Sequence, residues 1–293
     1  MVCYKELFLY NFMEFYMFEI ERIVRTALAE DIGAGDLTTE ATIAPETQAQ
    51  ARLVAKESFT LAGLDVACRV FAMVDSSIKF TARHQDGDEL KIGDELAVVS
   101  GPAAGLLQAE RVALNLLQRM SGIATMTAHF VSAVAGTEAQ IVDTRKTTPG
   151  LRVLEKYAVR VGGGRNHRYA LYDGVLIKEN HIAAAGGISA AVQRARRRLS
   201  HIHKVEIETR NLDEVHEALE AGADIILLDN MDNETLRQAV ELVAGRALTE
   251  ASGGVDLTRV RGIAQTGVNL ISVGALTHSC RAVDISMLFD SEA

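Results

Sequence analysis

Tryptophan is absent from this chain of 293 residues, and cysteine and proline occur only three times each. Cys3, Cys68 and Cys280 share no C-x-x-C spacing, which argues against both a disulfide framework and a zinc site. A reducing compartment is therefore expected, and the cytoplasm is the simplest one. Hydrophobic residues (48%) and charged residues (24%) are present in ordinary proportions, which predicts a globular chain with a sizeable core.

Aromatic residues are scarce, and seven of the fifteen Phe and Tyr residues lie within residues 1–18. A signal peptide or a membrane anchor is disfavoured, because Lys5, Glu6 and Glu14 interrupt the apolar run and no small-residue cleavage site follows. We expect an amphipathic helical extension that packs on the body or on a partner subunit, and no membrane partner. An over-extended reading frame is the alternative.

Negative charge predominates overall, since the formal net charge is −9, yet one stretch is cationic. Residues 141–181 hold two short apolar runs, and each run ends in charge, at Arg145 and Lys146 and then at Lys178. Arg168 lies between them. Such a local concentration in an acidic protein indicates a small polyanionic ligand and no nucleic-acid partner.

The N-terminal part of the chain mixes helical and strand patterns, which predicts an α+β unit. Strands are expected near residues 50–57, 77–84 and 96–99, and a helix over Leu64–Val74. A long helix should begin at Pro102 and run past Phe130. Ser121 and Gly122 are expected to bend or divide that helix.

Beyond Gly136 the chain alternates strands and helices, which predicts parallel strands joined by right-handed crossovers. The clearest helices are 212–221 and 233–244. The predicted strands are 139–143, 174–178, 203–208, 224–229, 247–251 and 269–273. They end in polar side chains or glycine, namely Asp143, Lys178, Glu208, Asp229, Glu250 and Gly274. If the strands form a ring, these groups converge at one mouth. In an open doubly wound sheet they would be spread along one edge, so an incomplete (β/α) barrel of six to seven strands is favoured.

Two glycine-rich turns follow the last two predicted strands. One is Ser252-Gly253-Gly254 and the other contains Gly274. Backbone amides at such turns bind phosphate, although a glycine also serves simply to end a strand. Their occurrence together favours a phosphate site.

The order of these elements resembles the quinolinate phosphoribosyltransferase family, the carboxylating nicotinate-nucleotide pyrophosphorylases of NAD biosynthesis. The resemblance extends from about residue 29 to residue 287. It is carried by Glu110-Arg111 with Asn115, by residues 143–149, 162–168 and 176–181, by Glu206-x-Glu208, and by residues 228–230, 250–254 and 272–274. It implies a homodimer in which an α+β domain (19–116 and 277–293) covers the mouth of the partner's barrel (117–276), with residues 1–18 as an extension.

The resemblance also implies the reaction and the residues that perform it. Quinolinate and 5-phosphoribosyl 1-pyrophosphate would give nicotinate mononucleotide, carbon dioxide and pyrophosphate, with Mg²⁺ as cofactor. The implied quinolinate ligands are Arg145, Arg168, Lys146, His167, Lys178 and, from the other subunit, Arg111. Glu208 and Asp229 would face the ribose or the magnesium ion, and Ser252, Gly253, Gly254 and Gly274 would bind the 5-phosphate. The catalytic group would be Lys146, Lys178, Glu208 and Asp229.

Three other functions compete with this reading. Lys178 at a strand end suits a Schiff-base lyase or aldolase. A paralogue of this family associated with molybdenum transport would share the fold but use another substrate. A non-catalytic protein that binds pyridine carboxylates would release no pyrophosphate.

The shared active site predicts complementation between two inactive variants. Mixing Arg111→Ala subunits with Lys178→Ala subunits should rebuild one intact site in each mixed dimer, which at random exchange restores about a quarter of wild-type activity. Mixing wild-type enzyme with the double variant is the matched control. Verified mixed dimers that stay inactive would falsify the shared site.

Overall fold

The chain divides into two units, and the computed structural model describes the backbone of residues 4–290 and the side chains of residues 18–290. The first unit comprises Met1–Met126, Thr148–Gly162 and Cys280–Ala293, and the second comprises Thr127–Thr147 and Gly163–Ser279. The predicted boundary at residue 116 lies ten residues earlier than this division, and the predicted barrel included residues 148–162, which here belong to the first unit.

The first unit is built from antiparallel strands and helices. Its helices are α1 (Tyr4–Asp31), α2 (Leu37–Thr42), α3 (Leu64–Val74), most of α4 (Ala103–Ala133) and α5 (Arg152–Val161). Its strands are β1 (Gln48–Ala55), β2 (Phe59–Thr60), β3 (Lys79–Ala82), β4 (Glu89–Leu90), β5 (Glu95–Pro102) and β12 (Ile285–Phe289). Four of them form a sheet in the order β12-β1-β5-β3, and β2 pairs with β4.

The second unit contains the predicted parallel sheet. Its strands are β6 (Gln140–Val142), β7 (Val175–Ile177), β8 (Val205–Thr209), β9 (Ile225–Asp229), β10 (Leu248–Ser252) and β11 (Leu270–Ser272). Its helices are α6 (Glu179–Ala185), α7 (Ile188–Arg198), α8 (Leu212–Glu220), α9 (Asn233–Val243), α10 (Val260–Ala264) and α11 (Ala275–His278). All six predicted strands occur within about two residues of their expected bounds, which confirms the alternating pattern.

The barrel is incomplete because its two edge strands are not paired with each other. The order is β6-β11-β10-β9-β8-β7, so β6 and β7 are the edges. A short segment at Arg165 lies along β6, where its N–H donates to the carbonyl of Ile141 at 2.8 Å and its carbonyl accepts from the N–H of Asp143 at 3.1 Å.

Helices of the second unit are positioned by capping side chains and by their apolar faces. The Asn211 side chain accepts a hydrogen bond from the Glu214 N–H at the start of α8, and Asp232 does the same for Thr235 at the start of α9. Helix α8 buries Val215, Ala218 and Leu219, and α9 buries Leu236, Ala239 and Val243. This spacing of three and four residues is what the sequence shows.

The aromatic N-terminal extension is helical from Tyr4, within α1. The prediction that this extension packs on the body or on a partner concerns side chains before residue 18, which lie outside the described part of the chain. Within residues 4–290, no helix combines the length and the apolar character needed to cross a membrane.

Ser121 and Gly122 do not divide the long helix, since α4 runs unbroken from Ala103 to Ala133. Each of these small residues instead allows another segment of the chain to pack closely against α4. The Ser121 hydroxyl accepts from the Ala62 N–H at 3.0 Å, and a Cβ on Gly122 would overlap the backbone carbonyl oxygen of Arg281. The C-terminal segment packs against α4 at this point, which positions β12 beside β1.

Gly122→Ala should therefore destabilise the protein despite the better helix propensity of alanine. Displacing a packed backbone segment costs about 1–3 kcal/mol, against a gain of about 1 kcal/mol from propensity. Gly105→Ala in the same helix is the control, because its Cβ would meet nothing closer than a methyl group of Ile78 at 3.2 Å. Urea denaturation measures both, and equal midpoints for the two variants would contradict the packing role.

Candidate active site

A cleft of about 520 Å³ lies at the carboxyl ends of the barrel strands. It belongs entirely to the second unit. The predicted site residues that line it are Arg145, Lys146, His167, Arg168, Lys178, Glu208, Asp229, Ser252, Gly253 and Gly274. The convergence of residues so distant in the sequence confirms that the strand ends form one mouth rather than one edge of an open sheet.

Two predicted residues do not line this cleft. Gly254 follows the lining turn, and its carbonyl accepts a hydrogen bond from Arg259 Nη1 at 2.8 Å. Arg111 lies on α4 in the first unit, where its guanidinium is 3.8 Å from the carboxylate of Glu110 and its side chain is 57% exposed.

The cleft pairs a lysine with two carboxylates. Lys178 Nζ lies 3.2 Å from Glu208 Oε2, so the ordinary salt bridge expected as an alternative for Lys178 is present. Asp229 accepts a hydrogen bond from the Asn230 amide at 2.7 Å. Burial, followed by the negative charge of Glu208, raises the pKa of Asp229 above its usual value. These two carboxylates are thus close enough to repel, and a cation between them would relieve that repulsion.

The turn after β10 approaches Asn230 closely. Gly253 has a φ of +95°, and a Cβ there would overlap the side-chain oxygen of Asn230. The Asn230 N–H donates to the carbonyl of Ser252 at 2.9 Å. Only glycine fits this combination of backbone conformation and close approach.

Gly274 lies beside Lys146 at the end of β11. A Cβ at residue 274 would come within 3.0 Å of Lys146 Cδ. The Thr277 hydroxyl donates to the Lys146 carbonyl at 2.8 Å. Glycine and threonine together position the lysine at the mouth.

Asp143 was expected to contribute a polar group to the mouth, and that expectation is wrong. The residue is fully buried. Its carboxylate accepts hydrogen bonds from the His167 N–H at 2.8 Å and from the Asn166 amide at 2.7 Å. Asp143 instead holds the segment that carries His167 and Arg168, because an unpaired carboxylate is costly in the interior.

Arg168 is fixed by its backbone and by its side chain. Its N–H donates to His167 Nδ1 at 2.7 Å, and its Nη1 donates to the Gly174 carbonyl at 2.9 Å. Burial, followed by the positive charge of Arg145, lowers the pKa of Arg168 from its usual value. Two like-charged guanidiniums near one cleft form a site prepared for an anion.

Two buried glutamates beneath the cleft were not among the predicted site residues. Glu206 is 4% exposed and Glu250 is 1% exposed. His167 Nε2 lies 3.0 Å from Glu206 Oε2 and 3.7 Å from Glu250 Oε1. Burial, followed by the charge of Glu206, raises the pKa of Glu250 well above its usual range. Strand alternation is the signal that finds Glu206, since residues 206 and 208 face the same side of β8.

A second cavity, of about 730 Å³, lies toward the beginnings of the strands, where Gln140, Lys204 and Leu248 line it. His167, Arg168 and Glu250 line both this cavity and the cleft. These three side chains therefore separate the two spaces. The centre of this barrel is polar, unlike the layers of branched apolar side chains that fill most barrels.

A cationic cleft at the mouth of an incomplete parallel barrel, with an antiparallel unit elsewhere in the chain, is typical of α/β-barrel enzymes that act on small anions. Family profiles narrow this class. The profile described as quinolinate phosphoribosyl transferase, C-terminal domain, matches residues 123–288, and the profile for the N-terminal domain matches residues 36–121. The chain belongs to the quinolinate phosphoribosyltransferase family.

Individual relatives agree with this assignment. A probable carboxylating nicotinate-nucleotide pyrophosphorylase of Bacillus subtilis is 46% identical over 269 residues, which cover 92% of this chain and 93% of the relative. The chloroplastic enzyme of that name from Arabidopsis thaliana is 46% identical, with 94% and 84% covered. The crystal structure of NadC from Streptococcus pyogenes superposes with a TM-score of 0.89 at 44% identity, covering 92% of this chain and 95% of that one.

Proposed function

We propose that this chain transfers the phosphoribosyl group of 5-phosphoribosyl 1-pyrophosphate to quinolinate and decarboxylates the product. The pyridine nitrogen forms a bond to C1 of the ribose as pyrophosphate leaves. The ring carboxyl next to that nitrogen then leaves as carbon dioxide, and the carbon takes up a proton. Nicotinate mononucleotide results. The observation that carries this proposal is the convergence of the family's cationic and acidic motifs on one cleft.

Quinolinate is the proposed ligand of the cationic side of the cleft. Arg145, Lys146, Arg168 and Lys178 line that side, and their number exceeds what one carboxylate needs. Guanidinium groups bind carboxylates in a bidentate manner, and lysine supplies a compact charge. The two carboxylates of quinolinate would offset the repulsion between these cations.

Phosphoribosyl pyrophosphate is the proposed ligand of the opposite side. The turn at Ser252 and Gly253, together with Gly274, would bind the 5-phosphate through backbone N–H groups. Glu208 and Asp229 would face the ribose. As pyrophosphate departs, positive charge develops on the ribose, and fixed carboxylates stabilise such charge.

Mg²⁺ is the proposed cofactor, and the donor set fits it. Glu208 and Asp229 supply two hard oxygen ligands, and burial, followed by the negative charge of Glu208, raises the pKa of Asp229. Mg²⁺ is typically bound by one or two carboxylates with water and substrate phosphates. When bound, the ion would neutralise charge on the departing pyrophosphate.

A homodimer is the proposed assembly, with Arg111 reaching the partner's cleft. Its guanidinium is exposed and lies 3.8 Å from the carboxylate of Glu110, so it is accessible to an anion bound in another subunit's cleft. A reducing compartment such as the cytoplasm is also proposed, since the three cysteines share no C-x-x-C spacing.

The Schiff-base alternative is less well supported by the environment of Lys178. Its side chain is 53% exposed and paired with Glu208. Lysines that form Schiff bases are instead desolvated or placed beside another cation. Borohydride reduction in the presence of a keto substrate should therefore leave no adduct.

Pyrophosphate release tests the proposal and its substrate. With quinolinate, release from phosphoribosyl pyrophosphate should be rapid, and without a pyridine acid it should be slow. Nicotinate lacks the carboxyl beside the ring nitrogen and leaves one cation unpaired. Because a hydrogen bond to a charged group contributes about 1.5–3 kcal/mol, quinolinate should be preferred by about tenfold to about a hundredfold in kcat/KM. Equal values would show that the cations serve the phosphates, and tight quinolinate binding without release would indicate a binding protein.

Neutralising the two carboxylates should separate chemistry from quinolinate binding. Glu208→Gln and Asp229→Asn keep size but remove charge, so turnover should fall by about a hundredfold or more, while quinolinate affinity should change by less than about threefold. Glu179→Gln is the matched control, because Glu179 is an exposed carboxylate paired with Arg210. Lost affinity with normal turnover would place these carboxylates in the quinolinate subsite instead. Calorimetry and steady-state kinetics supply the two measurements.

A further inference from the structure

We propose that Glu206, supported by Glu250, is a positioning residue for quinolinate binding, acting through the His167 ring on the backbone of Arg168. The proposal rests on the proposed function for the identity of the ligand. It gives a role to Glu206 and Glu250, two buried acids that have no part in the proposed reaction steps. It also changes the expected role of His167, from a ligand of the substrate to a link within the protein.

The hydrogen bonds at His167 define its tautomer. The Arg168 N–H donates to Nδ1 at 2.7 Å, so Nδ1 is an acceptor and carries no proton. The proton therefore lies on Nε2, which faces Glu206 Oε2 at 3.0 Å and donates to it. Both ring nitrogens are engaged by the protein, and the ring connects a barrel strand to the backbone that carries a guanidinium of the cleft.

The two glutamates have no other function among the described contacts. Glu206 Oε1 and both carboxylate oxygens of Glu250 are buried without a hydrogen bond in the described part of the chain. Buried acids in such a position are costly unless neighbouring positive charge offsets them. For Glu206 that charge comes from Arg168, because the negative charge of Glu206 is among the influences that favour the charged form of Arg168. For Glu250 the positive charge of Lys178 is among the influences that favour the charged form.

The position of Arg168 depends on this support, because the His167 ring accepts the hydrogen bond of its backbone N–H. Its guanidinium donates to the Gly174 carbonyl at 2.9 Å, and the nearby Arg145 repels it. If the His167 ring rotates, the Arg168 N–H loses its hydrogen-bond acceptor. The Arg168 guanidinium is then no longer held at the cleft. The affinity for quinolinate should therefore fall, and the affinity for phosphoribosyl pyrophosphate should not change.

Three variants of Glu206 and its surroundings separate positioning from general stability. Glu206→Leu removes the acceptor and should raise the KM for quinolinate by tenfold or more, with kcat and the KM for phosphoribosyl pyrophosphate changed by less than threefold. Glu206→Gln keeps an oxygen for Nε2 and offers its amide to Glu250, so it should restore most of the affinity. Thr249→Val, on the same strand as Glu250 and bonded to Asn269, should lower Tm without this KM effect.

A double-variant comparison tests whether the effect passes through Arg168. In an Arg168→Ala background, adding Glu206→Leu should change the quinolinate KM by less than twofold. If Glu206→Leu does not fold, His167→Phe replaces it, because phenylalanine keeps the ring but offers neither nitrogen. A full effect in the Arg168→Ala background would overturn the proposal and return His167 to direct contact with the substrate. Equal losses for the Gln and Leu variants, or a parallel loss of kcat, would overturn it as well.

Two measurements are independent of activity, so they separate this proposal from the proposed function. The ¹⁵N spectrum of His167 should show a protonated Nε2 and an unprotonated Nδ1. Elemental analysis of the purified chain should show no stoichiometric transition metal. His167, Glu206 and Glu250 hold ligand atoms within 4.8 Å of one another, and a bound metal would require a free Nε2 lone pair. A metal removed by Glu250→Gln would overturn the hydrogen-bonded assignment.

Discussion

Repulsion between like charges is the constraint on which this active site depends. Arg145 and Arg168 line the same cleft, and burial, followed by the positive charge of Arg145, lowers the pKa of Arg168. Like charges at this separation repel one another, which favours side-chain conformations that reach into solvent. The barrel opposes that tendency with acids beneath the cleft, and with Asp143, which holds the segment before Arg168 through its backbone. The cationic side chains are thus preorganised for an anion. The free-energy cost of holding like charges together is offset by the packing of the core.

The same balance explains how an acidic protein binds anions. The chain carries a net charge of −9, but the strand ends concentrate its positive charge in one concave place. Negative charge elsewhere keeps the surface from attracting polyanions in general. Specificity for a small dianion then follows from the number and spacing of cations, because a ligand with one charge leaves a partner unsatisfied.

Much of this arrangement could be predicted from sequence, and the failures have physical reasons. The six barrel strands were predicted because continuous apolar runs ending in charge reflect burial on both faces and convergence at one rim. Gly122 was misread because local propensity cannot reveal that a segment from residue 281 passes beside it. Asp143 was misplaced because its partners, Asn166 and His167, come from a connection whose path the pattern does not specify. Glu250 was recognised only as a strand end, because the residues adjacent to it in the sequence reveal neither its burial nor its proximity to Glu206.

Because strand β12 lies late in the chain, the antiparallel sheet of the first unit cannot be completed until the barrel has been synthesised. Residues 285–289 of β12 pair with residues 51–55 of β1, so the antiparallel sheet is completed by a strand that is synthesised after every strand of the barrel. Closing so long a loop is slow, and until it closes one edge of β1 has no partner. The nascent N-terminal unit therefore presents an open sheet edge throughout translation of the barrel. Production of this protein should for that reason be more sensitive to translation rate and to chaperone supply than its finished stability suggests.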